Sequence, residues 1–344
     1  MRPPEGPILS VLLLPLSWAY GAAVRARNRR YDRPGTAHRA TIPVLCVGNL
    51  TAGGTGKTPM VAWLVRRLQA AGLRPCIVTR GYGGRAGRGP LLVSSGGGPL
   101  AGPEVSGDEP VLLARALPGA IVLAGSDRVA AAAAAAAEGA DVVVLDDGFQ
   151  HRRLARDLDL VLLDGTAPFG NGRLLPAGAL REPLDALARA SAVLVTRCRP
   201  DANVAAVAAA AARHAPGLPV LRAGHRRAGF VSAEGEPTEK PARALAFCGI
   251  GNPVPFLRDL EEDGVEVAAA RIFSDHHPYL PREIHGLERL AARRGATLVT
   301  TEKDLVRLPP GQRARIVALR IEAVVHDEER LLALVRGALA GHTG

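Results

Sequence analysis

Aromatic side chains make up only 3% of this 344-residue chain, and lysine is nearly absent, with Lys57, Lys240 and Lys303 the only three. The first scarcity argues against nucleic acid as a partner despite a formal net charge of +10, because bases need aromatic platforms on which to stack. The second leaves the positive charge almost wholly to arginine, a bias that is either genome-wide or directed at an anionic surface. Cysteine is sparse as well. Cys46, Cys76, Cys198 and Cys248 lie far apart, each within an apolar run, as buried reduced thiols do; neither a zinc site nor a disulfide framework is implied. The apolar stretch from Ile8 to Ala23 is broken by Pro15 and falls short of the roughly 20 residues that span a bilayer comfortably. It also lacks the order of a cleaved signal peptide, whose charge precedes the apolar run, since Arg25, Arg27, Arg29, Arg30 and Arg33 follow it. A helix lying in the membrane interface fits better, with Trp18 and Tyr20 near headgroup level and the arginines on anionic phospholipid; a helix packed on the protein's own surface is the alternative.

What is present is enough apolar residue, 47% of the chain, to fill two cores of ordinary size. Apolar runs of strand length alternate with helical patterns, the signature of a mainly parallel sheet covered by helices. Strands are expected near Ile42–Val47, Pro75–Thr79, Ala120–Leu123, Asp141–Leu145, Leu158–Leu163 and Ala192–Thr196. Helices are expected over Thr58–Ala71 and Asp127–Glu138, the latter with an alanine run suited to close packing. Around residues 215–243 prolines and glycines break the pattern into short extended pieces, and strand and helix alternate again afterwards. This predicts a membrane-associating segment over 1–35, a larger unit over 36–225 and a smaller α/β unit over 226–344.

The strongest local signal is Gly53-Gly54-Thr55-Gly56-Lys57-Thr58, directly after one expected strand and directly before a helix. That context is the one a phosphate-binding loop needs. Glycines let backbone N–H groups face phosphate oxygens, the helix N-terminus adds partial positive charge, lysine reaches the β and γ phosphates, and Thr58 offers a hydroxyl to magnesium. The strict pattern has glycine where this chain has Thr51. A second signal is the apolar strand ending in Asp146-Asp147, since a carboxylate at such a strand end holds the magnesium shell in proteins of this kind. Gly107-Asp108-Glu109-Pro110 and Asp275-His276-His277-Pro278 are weaker taken singly: Asp108 suits a helix cap and the aspartate–histidine triplet suits a metal site. The glycine-rich stretch Gly170–Gly178 is a candidate substrate loop.

Several segments together carry a resemblance. They are Val47-Gly48-Asn49-Leu50-Thr51 leading into the phosphate loop, Thr79-Arg80-Gly81-Tyr82-Gly83, Gly107-Asp108-Glu109-Pro110, Asp146-Asp147-Gly148-Phe149-Gln150-His151, Leu175-Pro176-Ala177-Gly178, Arg181-Glu182 and Thr301-Glu302-Lys303-Asp304. From the apolar amino terminus to about residue 308 the chain resembles the tetraacyldisaccharide 4'-kinases, the lipid A 4'-kinases of Gram-negative bacteria, and Thr51 fits that family's loop.

The resemblance implies a P-loop, doubly wound α/β fold. It also implies transfer of the γ-phosphoryl group of ATP, with Mg2+, to the 4'-hydroxyl of an acylated glucosamine disaccharide 1-phosphate at the cytoplasmic face of the inner membrane. It assigns Asp108 as general base with His276 as its partner, and Gly53, Gly54, Thr55, Gly56, Lys57, Thr58 and Pro59 to the nucleotide. Thr58, Glu109, Asp146 and Asp147 are assigned to the metal shell, and Tyr82, Arg128, His151, Arg181 and Glu182 to the nucleotide or headgroup site. His276 is preferred to His277 because it directly follows the aspartate.

Two other readings compete. A nucleotide-dependent switch or metal-delivery GTPase would share the loop, but a guanine-specific Asn-Lys-x-Asp is missing and Thr301-Glu302-Lys303-Asp304 has the wrong order. A two-metal phosphoesterase built on Asp146, Asp147 and Asp275–His277 would not need the phosphate loop.

Overall fold

The computed structural model describes residues 7–85, 89–197 and 204–342; Cys198 falls outside them. Two helices open the chain, α1 (Pro7–Leu12) and α2 (Leu14–Tyr31). Pro15, which interrupts the apolar run in the sequence, sits in the first turn of α2, where its missing N–H costs nothing. The helix does not stop where the arginines begin, because arginine is a good helix former.

The first half of the sheet comprises β1 (Val44–Asn49), β2 (Pro75–Thr79), β3 (Leu91–Ser94), β4 (Ile121–Ala124), β5 (Val142–Asp146), β6 (Leu158–Asp164), β7 (Ala192–Thr196) and β8 (Val220–Val231). Its helices are α3 (Lys57–Ala70), α4 (Pro103–Ser106), α5 (Asp108–Ala116), α6 (Arg128–Ala137) and α7 (Val204–Ala212). The second half has β9 (Pro237–Thr238), β10 (Arg243–Cys248), β11 (Glu266–Ile272), β12 (Thr297–Thr301) and β13 (Ile316–Val325). With them come α8 (Val254–Glu262), α9 (Pro281–Arg293), α10 (Glu302–Arg307) and α11 (Glu328–Ala340).

All the described strands join one sheet in the order β11-β10-β12-β13-β8-β7-β6-β1-β5-β2-β4-β3, with β9 paired to β8. Pairing is parallel except at β13–β8, β3–β4 and β8–β9. The chain crosses between halves within β8. Its first residues run parallel to β7 (Val193↔Val220) while the rest pairs antiparallel with β13 (Val325↔Ala223 to Ala318↔Val231). Of the extended pieces expected there, most form one twelve-residue strand with β9 paired to its end; its Gly229, at φ +88°, lies at a register shift against β13.

Strand residues alternate between two cores, as a pleat covered on both faces demands. Leu45 and Val47 of β1 meet Val61, Leu64 and Leu68 of α3 on one side, while Val44 and Cys46 meet Ala131, Ala132 and Ala135 of α6 on the other. The alanine run of α6 brings the helix close to the sheet, and the Asp127 side chain caps it by accepting from Val129 and Ala130 N–H. The second half repeats the scheme with α9 and α8 on opposite faces. Because β1 lies between β5 and β6, where the chain order changes direction, the carboxyl ends of β1 and β5 form the crevice in which such sheets bind ligands.

Candidate functional site

The loop after β1 makes one wall of a cleft of about 1200 Å³ that also receives side chains from the second half. Gly56 is the N-cap of α3 in left-handed conformation, and a Cβ at Gly53, Gly54 or Gly56 would meet nothing within 4 Å. The glycines therefore serve an open cradle and not a packing constraint. Asn49 Nδ2 holds the loop from inside, donating to Thr51 O (2.7 Å) and Thr55 Oγ1 (3.1 Å). Thr51 forms a bridge to Leu180, which ties the phosphate loop to the glycine-rich segment and gives a place to this non-glycine residue. Thr58 is buried in the first turn of α3.

β5 delivers the two aspartates to the same crevice. Asp147, at φ +55°, turns its carboxylate to Lys57 Nζ (3.6 Å) and Arg181 Nη1 (2.9 Å to each oxygen). Burial raises its carboxyl, but Lys57 and Arg181 outweigh burial and hold it below the usual range. Asp146 behaves in the opposite way. Burial, then Glu109 and Asp147, push it up to about 7, and its buried Oδ2 has no hydrogen-bond partner. An unsatisfied buried carboxylate oxygen among other acids, in the cleft that Thr58 also lines, fits a divalent cation. No three His, Cys, Asp or Glu side chains among the described residues form a metal cage by themselves.

The Asp146 shift makes a stability prediction. A carboxyl that titrates at about 7 when folded, against 3.8 ordinarily, binds its proton more tightly in the native state, so stability falls as pH rises through that window. In metal-free buffer, Asp146→Asn should melt higher than wild type at pH 8 and at nearly the same temperature at pH 4. Calorimetry showing no gain at pH 8 would contradict the assignment.

The opposite wall is built from α5 and the second half. Asp108 opens α5, and its Oδ2 lies 3.1 Å from His276 Nδ1 and within hydrogen-bond reach of Arg307 Nε. Burial raises the Asp108 carboxyl, yet the His276 hydrogen bond and the Arg307 charge hold it below the carboxylate range. His276 adopts φ +59°, anchored by its N–H to Gly249 O (3.0 Å). His277 turns away: it bonds Glu283 (2.9 Å) and stacks on Phe273. The structure thus pairs Asp108 with His276 and not with His277. Tyr82, 67% exposed, stands with its ring 5.6 Å from that of His276.

Arg128 and His151 line the floor. Arg128 is buried and donates to Gly125 O and Asp146 O, so it braces the strand end that carries the aspartates. Burial and the charges of Arg128 and Arg153 lower His151 to about 4, which leaves a neutral ring whose buried Nε2 lacks a partner. Glu182 stands apart from the cleft. Its side chain has no exposed surface and binds Arg189 (3.0 Å) and Asn28 Nδ2 (2.7 Å).

Sequence reasoning assigned no role to three features. Lys303 Nζ bonds Glu109 (2.7 Å), and Arg307, one turn later on α10, bonds Asp108. The spacing of the two cations and the rarity of lysine were the available signals. The third is the anchoring of α2. Tyr20 donates to Arg181 O and Ser17 to Leu174 O, while a Cβ at Gly21 would come within 2.7 Å of Leu174.

Comparisons with known proteins agree with this geometry. Residues 9–340 match the family model for LpxK, tetraacyldisaccharide-1-P 4'-kinase. A "Tetraacyldisaccharide 4'-kinase" of Anaeromyxobacter sp. (strain Fw109-5) is 44% identical, over 96% of this chain and 93% of the relative. Another from Gluconacetobacter diazotrophicus is 44% identical, over 93% and 92%. A crystal structure of the "apo" form of LpxK from Aquifex aeolicus in complex with ATP superposes with a TM-score of 0.78 at 32% identity, covering 96% of this chain and 99% of that one. The chain belongs to the tetraacyldisaccharide-1-P 4'-kinase family.

Proposed function

We infer that this protein transfers the γ-phosphoryl group of ATP to the 4'-hydroxyl of an acylated glucosamine disaccharide 1-phosphate, working at the cytoplasmic face of the inner membrane. The observation that carries this is a single cleft lined by the phosphate cradle, Lys57 and His276, with Asp108 bonded to the His276 ring. Gly53, Gly54, Thr55, Gly56, Lys57, Thr58 and Pro59 hold the triphosphate through backbone N–H groups, the helix N-terminus and the lysine. Thr58, Glu109, Asp146 and Asp147 would hold Mg2+, which when bound neutralises charge building on the phosphoryl oxygens. Asp108 accepts the proton of the attacking hydroxyl, and His276 orients it. Tyr82, Arg181 and His151 contact nucleotide or headgroup from the cleft lining. Residues 36–225 act as the kinase unit and 226–344 as the unit that completes the site.

The test is acceptor dependence. ADP formation by the full chain with ATP and Mg2+ should rise severalfold when detergent-dispersed acylated disaccharide 1-phosphate is added. Equal ADP formation with and without acceptor would overturn the assignment and favour a switch ATPase.

Access to a bilayer-held acceptor is the task of residues 1–35. No helix among the described residues is long and apolar enough to cross a membrane. Val11, Leu12, Leu16 and Trp18 are exposed, which supports docking in the interface. Because Ser17 and Tyr20 anchor the segment to the 174–181 loop, deleting the helix would disturb the site. Substituting its outer face is the cleaner test. Leu12→Glu with Leu16→Glu and Trp18→Glu should abolish flotation with anionic phospholipid vesicles while ATP affinity holds; unchanged flotation would refute the docking role.

A further inference from the structure

We propose that Arg307 is a positioning residue for phosphoryl transfer: it fixes the Asp108 carboxylate and the backbone carrying His276 in one frame, leaving Asp108 Oδ1 to take the acceptor's proton. The proposal rests on the kinase reading above and adds to it a residue that acts through Asp108 and His276.

Both contacts on Asp108, from Arg307 Nε and His276 Nδ1, fall on Oδ2, and no hydrogen bond to Oδ1 occurs among the described residues. A carboxylate held through one oxygen presents the other to a substrate hydroxyl in a fixed direction. Arg307 is 5% exposed at the cleft lining, and its fork is turned to the frame, with Nη2 3.4 Å from His276 Nδ1. Nη1 donates to Gly249 O (2.9 Å) and to Asp304 Oδ1 (3.0 Å). Gly249 O also accepts the His276 N–H, so one guanidinium reaches both members of the pair. Its own anchor is rigid. Asp304 is completely buried and accepts in addition from Gly249 N–H (2.9 Å), Tyr279 Oη (2.9 Å) and Thr301 Oγ1 (2.6 Å).

A planar guanidinium serves this better than an ammonium, because its donors diverge at fixed angles onto three acceptors at once. The neighbouring contact, Lys303 to Glu109, repeats the pattern one turn earlier. Two consecutive acids at the start of α5 are thus met by two cations on α10, the base by the arginine.

The test compares wild type, Arg307→Ala, Arg307→Lys, Asp108→Ala and the Asp108→Ala/Arg307→Ala double variant in full-length protein, reading kcat and KM for ATP and acceptor. Arg307→Ala should lose roughly 10- to 100-fold in kcat, as loss of an orienting partner does, with the KM for ATP within about twofold. Arg307→Lys should remain folded and regain part of the rate, and added guanidinium ion should partly restore Arg307→Ala. On the Asp108→Ala background the same substitution should cost less than about threefold, because residues acting as a unit are not additive. Full multiplicative loss on that background, or a KM for ATP rising in step with the fall in kcat, would overturn the proposal. If Arg307→Ala does not fold, Arg307→Lys decides alone: wild-type kcat in that variant refutes the need for the fork. If wild type itself labels no acceptor, the kinase reading falls and not merely the part given to Arg307.

Discussion

Replacing Asp108 with alanine lowers the turnover of phosphoryl transfer by roughly 10²- to 10⁴-fold, the range for losing a general base, with ATP affinity near wild type. The expectation follows from where the carboxylate stands. Asp108 is bonded to His276, which lines the cleft that holds the phosphate cradle, is held ionised by His276 and Arg307, and among the described residues makes no hydrogen bond or ion pair with Lys57 or the loop glycines. On the proposed reading, removing it leaves the groups assigned to the nucleotide intact while the sugar hydroxyl, a poor nucleophile, loses its proton acceptor. His276→Ala should fall in the same direction by a smaller factor, since Arg307 still holds the carboxylate. The contrary result is a variant with normal turnover and a raised KM for ATP, which would move Asp108 from proton transfer to nucleotide binding. Steady-state kinetics in both substrates separates the two.

The second large effect is on stability. Glu182→Ala should destabilise the protein by about 3–5 kcal/mol, the cost of breaking a buried ion pair from one side. Glu182 has no exposed surface, and its removal strands Arg189, which lies 4.6 Å above the Phe149 ring and loses its carboxylate. It also frees Asn28, so α2 loses one of its attachments to the loop that carries Arg181. Urea denaturation measures the loss directly. Wild-type stability together with a raised KM for acceptor would mean instead that the carboxylate reaches the lipid headgroup.

The parts of the site that are local in sequence are the parts sequence reasoning finds. The cradle from Gly53 to Thr58 can be read because strand, glycine turn and helix start follow one another along the chain, and Asp146 because it ends an unbroken apolar strand. The alanine-rich α6 falls within a residue of its expected ends. β3 and β8 were harder: β3 is short and flanked by glycines, and β8 carries Gly224 and Gly229, which read as turns until the partner strand supplies the pairing. The long-range contacts were not readable as geometry. Arg307 meets Asp108 across 199 residues of sequence, and His276 meets it across 168. Only the shared-motif resemblance joined Asp108 to His276, and nothing of that kind existed for Arg307. Glu182 shows the converse, since a motif position suggested a ligand contact where burial makes an internal ion pair.

The coupling of α2 to the site has a physical consequence for the membrane. Leu12 at the end of α1 and Leu16 and Trp18 of α2 are exposed, whereas Ser17, Tyr20 and Asn28 hold the segment 174–182. Arg181 from that segment grips Asp147 beside Lys57. The segment proposed above to dock on the bilayer and the Asp147 carboxylate are therefore joined by a few hydrogen bonds.

The most direct measurement is transfer from γ-labelled ATP to acylated glucosamine disaccharide 1-phosphate in detergent with Mg2+, with the phosphorylated position read by phosphorus NMR, for wild type and Lys57→Ala. Label on the 4' oxygen with wild type, and its near-complete loss with Lys57→Ala, is the predicted result. Consumption of ATP by wild type with no phosphate on the lipid, or equal labelling by Lys57→Ala, would contradict it.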